Sequence, residues 1–401
     1  MIALFTNPRT RDFVEDACRR DRITPHFVVY SEDCAGPANP GGPASRAESA
    51  FREQVRLEIL RREVDIVVSS VTRDSYAAVD SRLEPMIDAL GVSFVGPSER
   101  AVEICCDKLK TKLMCKLLMV EAPRYWEPQT PRALDALLDA ADSTMLLKGR
   151  RGIGAGIGQT VLSRNCRIDD ASLNSCFVEE CVSGIEVSKN VVSRPDGQVL
   201  LYPPVIKGST DQGGSHPLER VRFVAPGMFG AIDEIISDIC VSIVRYLGYR
   251  GVMEVEFVIR HDKCYLLEIN PRVSGTLRAA WFATLVNPYS FLLARPAPCE
   301  MVTHAPAVRW AVEEPLMAPI EAGPSGRETD WFIDVFALPV GRQYGKFLLS
   351  GPSIVETVRR RRELGVPDTP SNTIEKIQAL FTECRCQLDC ERPQPARSYA
   401  G

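Results

Sequence analysis

The spacing of apolar residues changes several times along the chain, and the changes outline its elements. Residues 2–6 form a short apolar run that predicts a strand, a helical segment follows over 13–20, and a second strand is expected over 26–30. Residues 33–45 are rich in Pro and Gly and read as a loop. A charged amphipathic helix is expected over 48–63, a buried strand at DIVVSS (65–70), a helix over 83–90 and a strand over 92–95. This alternation of strand and helix predicts a parallel α/β sheet. Ser98 caps a long helix expected over 99–118, and the segment from Pro123 to Pro131 reads as a linker. Strands are expected at 145–148, then as a pair at 177–182 and 183–192, and again from Val199 to Ile206, ending at Lys207. Ile232, Ile235, Ile236, Ile239, Ile243 and Leu247 recur at helical spacing, and residues 277–293 predict a further helix. Towards the C-terminus, short strands at 308–313, 331–337 and 346–350 alternate with Pro and Gly turns before a helix over 354–364. That helix carries the arginine run 359–362, which spreads round the axis as a solvated face.

The most informative pattern is GVMEVEFVIRHDKCYLLEINPRVSGT, residues 251–276. Val255, Phe257 and Ile259 alternate along one predicted strand, and Tyr265, Leu267 and Ile269 along a second, with His261-Asp262-Lys263 between them. Antiparallel pairing across that turn sets Phe257 opposite Leu267 and Val255 opposite Ile269 on an apolar face. On the other face it sets Glu256 opposite Glu268 and Glu254 opposite Asn270. Like charges directly opposed are destabilising. A divalent cation held by carboxylates and an amide oxygen would relieve them; a solvated strand face would tolerate them at little cost. Arg272 and the small turn Ser274-Gly275-Thr276 follow at once, an order of metal ligands, guanidinium and hydroxyls that suits a triphosphate.

Composition narrows the class. The 401 residues are 45% hydrophobic and 25% charged, which is ordinary for a globular chain of two or three domains. A net charge of -4 argues against general nucleic-acid binding. The opening MIALFTNPRTRDF has no long apolar core, and no apolar run could span a bilayer, so a cytoplasmic, membrane-free protein is expected. The 14 cysteines sit mostly in apolar periodic segments, as Cys105, Cys106 and Cys115 do, and read as reduced thiols. Cys384, Cys386 and Cys390 are one ligand short of a structural zinc site. Four histidines make a histidine-based metal centre improbable, and from residue 389 on the composition predicts a disordered tail.

Other candidate chemistry lies upstream of the hairpin. Met145–Lys148 runs into GRRGIGAGIGQT, with Gly149, Gly152, Gly154, Gly156 and Gly158, whose backbone N–H groups could wrap phosphates. It lacks G-K-[ST] and is no P-loop, and no G-x-G-x-x-G follows the first strand. Lys108 and Lys112 stand four apart on one helix face, a pattern that is usually solvated. Lys207 and His216 flank a flexible polar stretch and are candidates for phosphate or acid–base contact. Arg278 reads either as a substrate-carboxylate ligand or as a core-edge arginine.

EINPRVSGT after a strand ending in EVEF resembles the metal-binding hairpin of the ATP-grasp superfamily, in particular its carboxylate–amine ligases, such as L-amino acid ligases, and the carbamoyl-phosphate-synthetase-like enzymes. The resemblance runs from about residue 2 to 380. It implies an α/β chain, α+β in its centre: an N-terminal Rossmann-like parallel sheet (1–97), a helical linker (98–130), a small lid subdomain (131–205), a large and C-terminal subdomain (206–388) and a tail (389–401). It implies ATP with Mg2+ or Mn2+ as cofactor, and Glu256, Glu268 and Asn270 as metal ligands. Lys108 and Lys148 would touch the phosphates under the lid that carries Gly154 and Gly156. Glu179 or Glu180 and the backbone of Cys181 and Val182 would meet the adenine edge, and Glu186 the ribose. Arg272 would touch the transferred phosphoryl group or acyl substrate, with Lys207 and Arg278 nearby. The implied activity joins an amino acid to a second amino acid or amine through an acyl-phosphate, releasing ADP and phosphate. The implied partners are small molecules, and a homodimer through the N-terminal domain is common among similar proteins.

Overall fold

In the computed structural model, the described residues are 2–5, 10–22, 24–29, 46–62, 64–151, 159–163, 168, 170–210, 220–261, 263–294, 301–316, 331–337, 343–363, 379 and 381–382. The predicted loop over 33–45, the glycine loop with Gly154 and Gly156, His216, the tail cysteines and the tail from residue 389 lie outside them.

The N-terminal unit is β1 (Ile2–Phe5), α1 (Arg11–Asp21), β2 (His26–Val29), α2 (Arg46–Arg61), β3 (Ile66–Ser69), α3 (Asp74–Ser81), α4 (Glu84–Ala89) and β4 (Ser93–Val95). Its strands form one parallel sheet in the order β2-β1-β3-β4, as the alternation predicts. Helix α3, which the sequence pattern did not indicate, follows β3 directly. Val67, Phe94, Phe51, Val55 and Ile87 pack between the sheet and its helices.

The expected long helix over 99–118 is two helices, α5 (Glu99–Cys105) and α6 (Lys108–Leu117). Asp107 breaks it: its backbone is extended, and its carboxylate accepts from the N–H groups of Leu109 at 3.0 Å and Lys110 at 3.3 Å, capping the second helix. The expected linker over 123–131 contains β5 (Tyr125–Trp126), and Thr130 then caps α7 (Pro131–Ala140). With β6 (Met145–Gly149), β7 (Gln159–Val161), α8 (Asp170–Ser175) and β8 (Cys176–Glu180), β5 completes a small antiparallel sheet, order β5-β8-β6-β7.

Residues 181–184 carry the chain from this sheet to a larger one, so the two strands expected as a pair belong to different sheets. Gly184 sits so close to the large sheet that a Cβ there would stand 2.2 Å from the Ile259 carbonyl oxygen. The large sheet holds β9 (Ile185–Ser193), β10 (Val199–Leu201), β11 (Val205–Ser209) and β12 (Arg222–Val224). After α9 (Ala231–Leu247) it adds β13 (Gly251–Arg260) and β14 (Lys263–Asn270). Helices α10 (Leu277–Thr284) and α11 (Pro288–Leu293) precede β15 (Val302–His304), β16 (Trp310–Leu316), β17 (Trp331–Ala337), β18 (Gln343–Gly351) and α12 (Ile354–Glu363). The main path is β14-β13-β9-β11-β12-β16-β18-β17, with β10 paired to β9 and β15 to β10. The single strand expected over 199–206 splits at Pro203 and Pro204, which have no N–H to donate. The helix expected over 277–293 breaks at Leu285, whose φ of 61° is left-handed, and Asn287 caps α11 by accepting from the Tyr289 N–H at 2.9 Å.

One face of the large sheet packs α9 through Val187, Val255, Phe257 and Ile269. The opposite face is apolar where α10, α11 and the N-terminal unit cover it, through Val252, Leu277, Tyr289, Val14 and Val95, and charged beyond that. Gly251, at φ 108°, passes so close to the N-terminal unit that a Cβ would lie 3.3 Å from Gly96 Cα. Cys18, Cys105, Cys115, Cys240 and Cys264 are buried free thiols, and no helix among the described residues is long and apolar enough to cross a membrane.

Candidate functional site

The hairpin β13–β14 sets the site. Its register pairs Glu254 with Asn270 and Glu256 with Glu268, as the alternation predicts. Beyond that the expectation fails by one residue: the register slips between Glu256 and Phe257, so Phe257 opposes Leu266 and Leu267 is left over as a bulge. The tighter connection is the cause. Arg260 pairs with Lys263, and His261 takes a φ of 57°, leaving fewer residues in the turn than the pattern implied.

Lysines from two elements reach these carboxylates, and one from a third acts on them from a distance. Lys108, at the start of α6, stands 3.2 Å from Glu268 Oε2. Lys207, buried on β11, lies 2.5 Å from Glu256 Oε2 and 2.8 Å from Glu186 Oε1. Lys148, near the end of β6, pairs with Glu179 and acts on Glu268 from across the cleft. Burial alone would raise Glu268, but Lys108, Lys207 and Lys148 outweigh it and hold the carboxyl well below the usual range. Glu186 is held down in the same way, against its burial, by Lys207 and by Arg220 at 2.5 Å. Glu256 is the acid pushed up, first by burial, which together with Glu268, Glu254 and Glu186 outweighs Lys207.

Asn270 Nδ2 donates to Glu254 Oε2 at 3.0 Å and to Glu256 Oε1 at 3.2 Å, while its Oδ1 accepts from Arg272 Nη2 at 3.0 Å. Arg272 is tied to the N-terminal unit by Asp74, its Nε lying 2.6 Å from Oδ1, and the next N–H, of Val273, donates to Val71 O at 3.1 Å. Behind Glu254 a buried network continues: Thr276 Oγ1 donates to Glu254 Oε1 at 2.5 Å and accepts from Asn190 at 3.1 Å and from Ser188 at 3.2 Å.

Three carboxylates and an amide on one face are hard oxygen donors suited to magnesium or manganese. Their partners are ammonium, amide and hydroxyl donors, and among the described residues no cluster of three or more His, Cys, Asp or Glu side chains could hold a metal by itself. The donor set therefore fits a cation that brings water and phosphate oxygens with it, rather than a closed protein cage.

The other expected residues divide. Glu179 is buried, its oxygens shared between Lys148 and Lys112, the latter 2.7 Å away. Glu180 points to the opposite side of the strand and meets Arg124 at 2.7 Å. The Cys181 N–H donates to Thr144 O at 2.8 Å, and Val182 O accepts from Thr210 Oγ1 at 3.1 Å. Arg278 is buried in α10 and helps hold Glu313 below its usual range; Glu313 also meets Lys346 at 2.5 Å and Arg222 at 3.3 Å. Sequence reasoning missed Asp74, Arg220, Arg222 and the network at Thr276. It read the Lys108–Lys112 spacing as usually solvated and gave a role to Lys108 alone, whereas Lys112 is 1% exposed. The signal available for Lys112 was its position between Thr111 and Met114 in a segment that is otherwise half apolar.

Residues 113–279 match the family model of the ATP-grasp domain. Over 221 residues the chain is 23% identical to a carbamoyl-phosphate synthase of Methanobrevibacter smithii, a stretch that covers 54% of this chain and 59% of that protein. The chain thus spans less than two-thirds of that relative's length. Among solved structures, N5-carboxyaminoimidazole ribonucleotide synthetase of Thermus thermophilus superposes with a TM-score of 0.63 at 20% identity, covering 92% of this chain and 99% of that one. The L-amino acid ligase of Bacillus licheniformis gives a TM-score of 0.63 at 17% identity, covering 91% and 96%. At these identities the likeness is one of fold.

Proposed function

Since residues 113–279 form an ATP-grasp domain, we propose that the protein is an ATP-dependent carboxylate–amine ligase that joins an amino acid to a second amino acid or amine. The observation that carries this reading is the convergence of Lys108 and Lys207, from two separate elements, on the opposed carboxylates of one hairpin, with Lys148 on Glu179 adding to the positive field at Glu268. Such a concentration of buried charge suits a polyanion that arrives with its own cation.

Glu256, Glu268 and Asn270 would hold magnesium or manganese, which when bound would neutralise the triphosphate. Lys108 and Lys148 then bind phosphate oxygens, and Glu186 meets the ribose. Lys207 stands between Glu186 and Glu256, holding Glu186 below its usual range and opposing the rise that burial imposes on Glu256. A substrate carboxylate oxygen attacks the γ-phosphorus as the bond to ADP breaks. The amine nitrogen attacks the resulting acyl carbon, phosphate leaves, and the amine loses a proton. Arg272, held by Asp74, stabilises the developing charge. Arg278, with Arg222 and Lys346 about Glu313, offers a cationic end of the cleft suited to a second carboxylate, as an amino acid carries. No protein nucleophile is needed, because positioning and charge do the chemistry. On this reading the enzyme is cytoplasmic and takes small molecules, and its N-terminal unit is the surface for any homodimer.

A related ligase with another acceptor would use the same residues, and the likeness to a carbamoyl-phosphate synthase and to an N5-carboxyaminoimidazole ribonucleotide synthetase makes it an arm of the test. Phosphate release is measured with ATP, magnesium and pairs of amino acids, beside ammonia and bicarbonate. Release that depends on an amino-acid pair supports the proposal; release with ammonia or bicarbonate alone moves the assignment to the other acceptor. Glu268→Gln and Lys148→Ala should each abolish ADP formation in a folded protein, and full activity in both would end the assignment.

A further inference from the structure

Lys112 stands one helical turn beyond Lys108 on α6, yet it reaches no solvent: its side chain is 0% exposed. Its Nζ donates to Leu266 O at 3.1 Å and Leu267 O at 3.4 Å and stands 2.7 Å from Glu179 Oε2 as an ion pair. Two carbonyls and one carboxylate thus surround the ammonium ion. Two successive carbonyls of one strand do not ordinarily face the same side. They do so here because Leu267 is the bulge residue. The bulge that brings Glu268 and Asn270 into register with Glu256 and Glu254 thus also forms the seat for Lys112.

We propose that Lys112 is a positioning residue of the nucleotide site: by taking one oxygen of Glu179, it leaves Lys148 with charge to spend on the triphosphate. This rests on the ATP-binding reading above. Glu179 gives its other oxygen to Lys148, so the group is one carboxylate between two ammonium ions, net one positive charge. It lies between the small sheet and the hairpin, where water does not screen it. Without Lys112, Glu179 has Lys148 as its remaining ammonium partner among these contacts. That pair closes on itself as a neutral unit, and Lys148 is drawn away from the phosphates. Lys112 also ties β8 to β14 across the cleft, a purely structural role that would affect all ligands alike. The phosphate-specific role affects them in proportion to their charge.

The test measures dissociation constants of the full-length protein for ATP with magnesium and for adenosine, with thermal unfolding recorded for each variant. Lys112→Met should weaken ATP binding by at least about tenfold, as expected for loss of one poorly screened charge, and leave adenosine within about twofold. Lys112→Met combined with Glu179→Gln restores the net positive charge and should bring ATP affinity back near the wild-type value. The double variant leaves no buried carboxylate unpaired, so it carries the comparison if the single variant fails to fold. In that case ATP binding by the double variant should be near wild type and about tenfold weaker than in Glu179→Gln alone. Unchanged ATP affinity in folded Lys112→Met, equal losses for ATP and adenosine, or no rescue in the double variant would each overturn the proposal while leaving the ATP-grasp reading in place. Wild-type protein that binds no ATP would sink that reading and the proposal with it.

Discussion

The two faces of the large sheet are built from the same strands and are held by opposite physics. Towards α9 stand Val187, Val255, Phe257 and Ile269, packed on Ile236, Cys240, Ile243 and Leu247. One residue along each strand, on the other side, stand Glu186, Glu254, Glu256, Glu268 and Lys207. Glu254 and Lys207 are as buried as many of the apolar groups behind them. Apolar burial stabilises by roughly 25 cal/mol per Å². A buried ion pair often contributes nothing net, because its desolvation cost matches its Coulombic gain. The charged face is therefore poor material for stability, and its persistence has to be explained by what it binds. Lys189 departs from the division: it lies on the α9 side and reaches Asp233 in the first turn of that helix.

The comparison breaks most visibly at the reaction. Glu268→Gln removes a carboxylate that three lysines hold ionised, so some stability is lost with it, but ADP formation should fall much further, by about a hundredfold or more, in the range seen for loss of one preorganised charge-stabilising group. Steady-state ADP release and a thermal melt of the same preparation decide it. A variant that melts early and keeps its activity would reverse the roles assigned to the faces. Phe257→Ala is the mirror experiment. Phe257 is 0% exposed in the α9 face, and its truncation should cost about 3–5 kcal/mol of stability, read from urea unfolding, with nucleotide affinity near normal in the fraction that stays folded.

This division also governs how much the sequence revealed. The α9 face was legible because period alone reports it: isoleucines at helical spacing and alternating apolar residues in the hairpin. The pairing of Glu256 with Glu268 was legible for the same reason, since like charges cannot face each other without a cause. The bulge at Leu267 was not, because it depends on how few residues the turn at His261 consumes. Asp107 hid the helix break, since an aspartate followed by helix formers reads equally as helix interior or cap. Lys112 was misjudged because a lysine four residues after another resembles a solvated face until the neighbouring sheet is known. Asp74 and Arg220 are far from the hairpin in sequence, and only the docking of the N-terminal unit and the folding of β12 bring them to Arg272 and Glu186.

A smaller effect probes the border between the faces. Thr276 links the charged side to the fold by donating to Glu254 and accepting from Asn190 and Ser188. Thr276→Val keeps the shape and removes the hydroxyl, which leaves a buried carboxylate one donor short. The expected loss is about 1–3 kcal/mol, measured by urea unfolding, and less than for Phe257→Ala. An equal or larger loss would mean that the polar network, not the apolar face, dominates the stability of this sheet.

The least effect, and the one that isolates the role of the lysines, comes from two fully buried acids. Glu313 is held below the usual carboxylate range because Lys346 and Arg222 outweigh its burial. Asp80, in α3, accepts from Ser69 Oγ at 2.5 Å, and burial pushes it well above that range. Their linkages to stability have opposite signs. Glu313 has a native pKa below its unfolded value of about 4.3, so its contribution is complete above that pH and is lost as pH falls through the native value. Asp80 has a native pKa above its unfolded value of about 3.9, so its contribution is complete below that pH and is lost as pH rises through the native value. Asp80→Asn keeps an acceptor for Ser69 and removes the proton linkage. Relative to wild type it should gain about 1 kcal/mol or more between about pH 4 and about pH 8, seen as a pH-dependent difference in unfolding free energy. A difference that stays constant with pH would show that Asp80 is ionised at no cost, and that burial does not raise it.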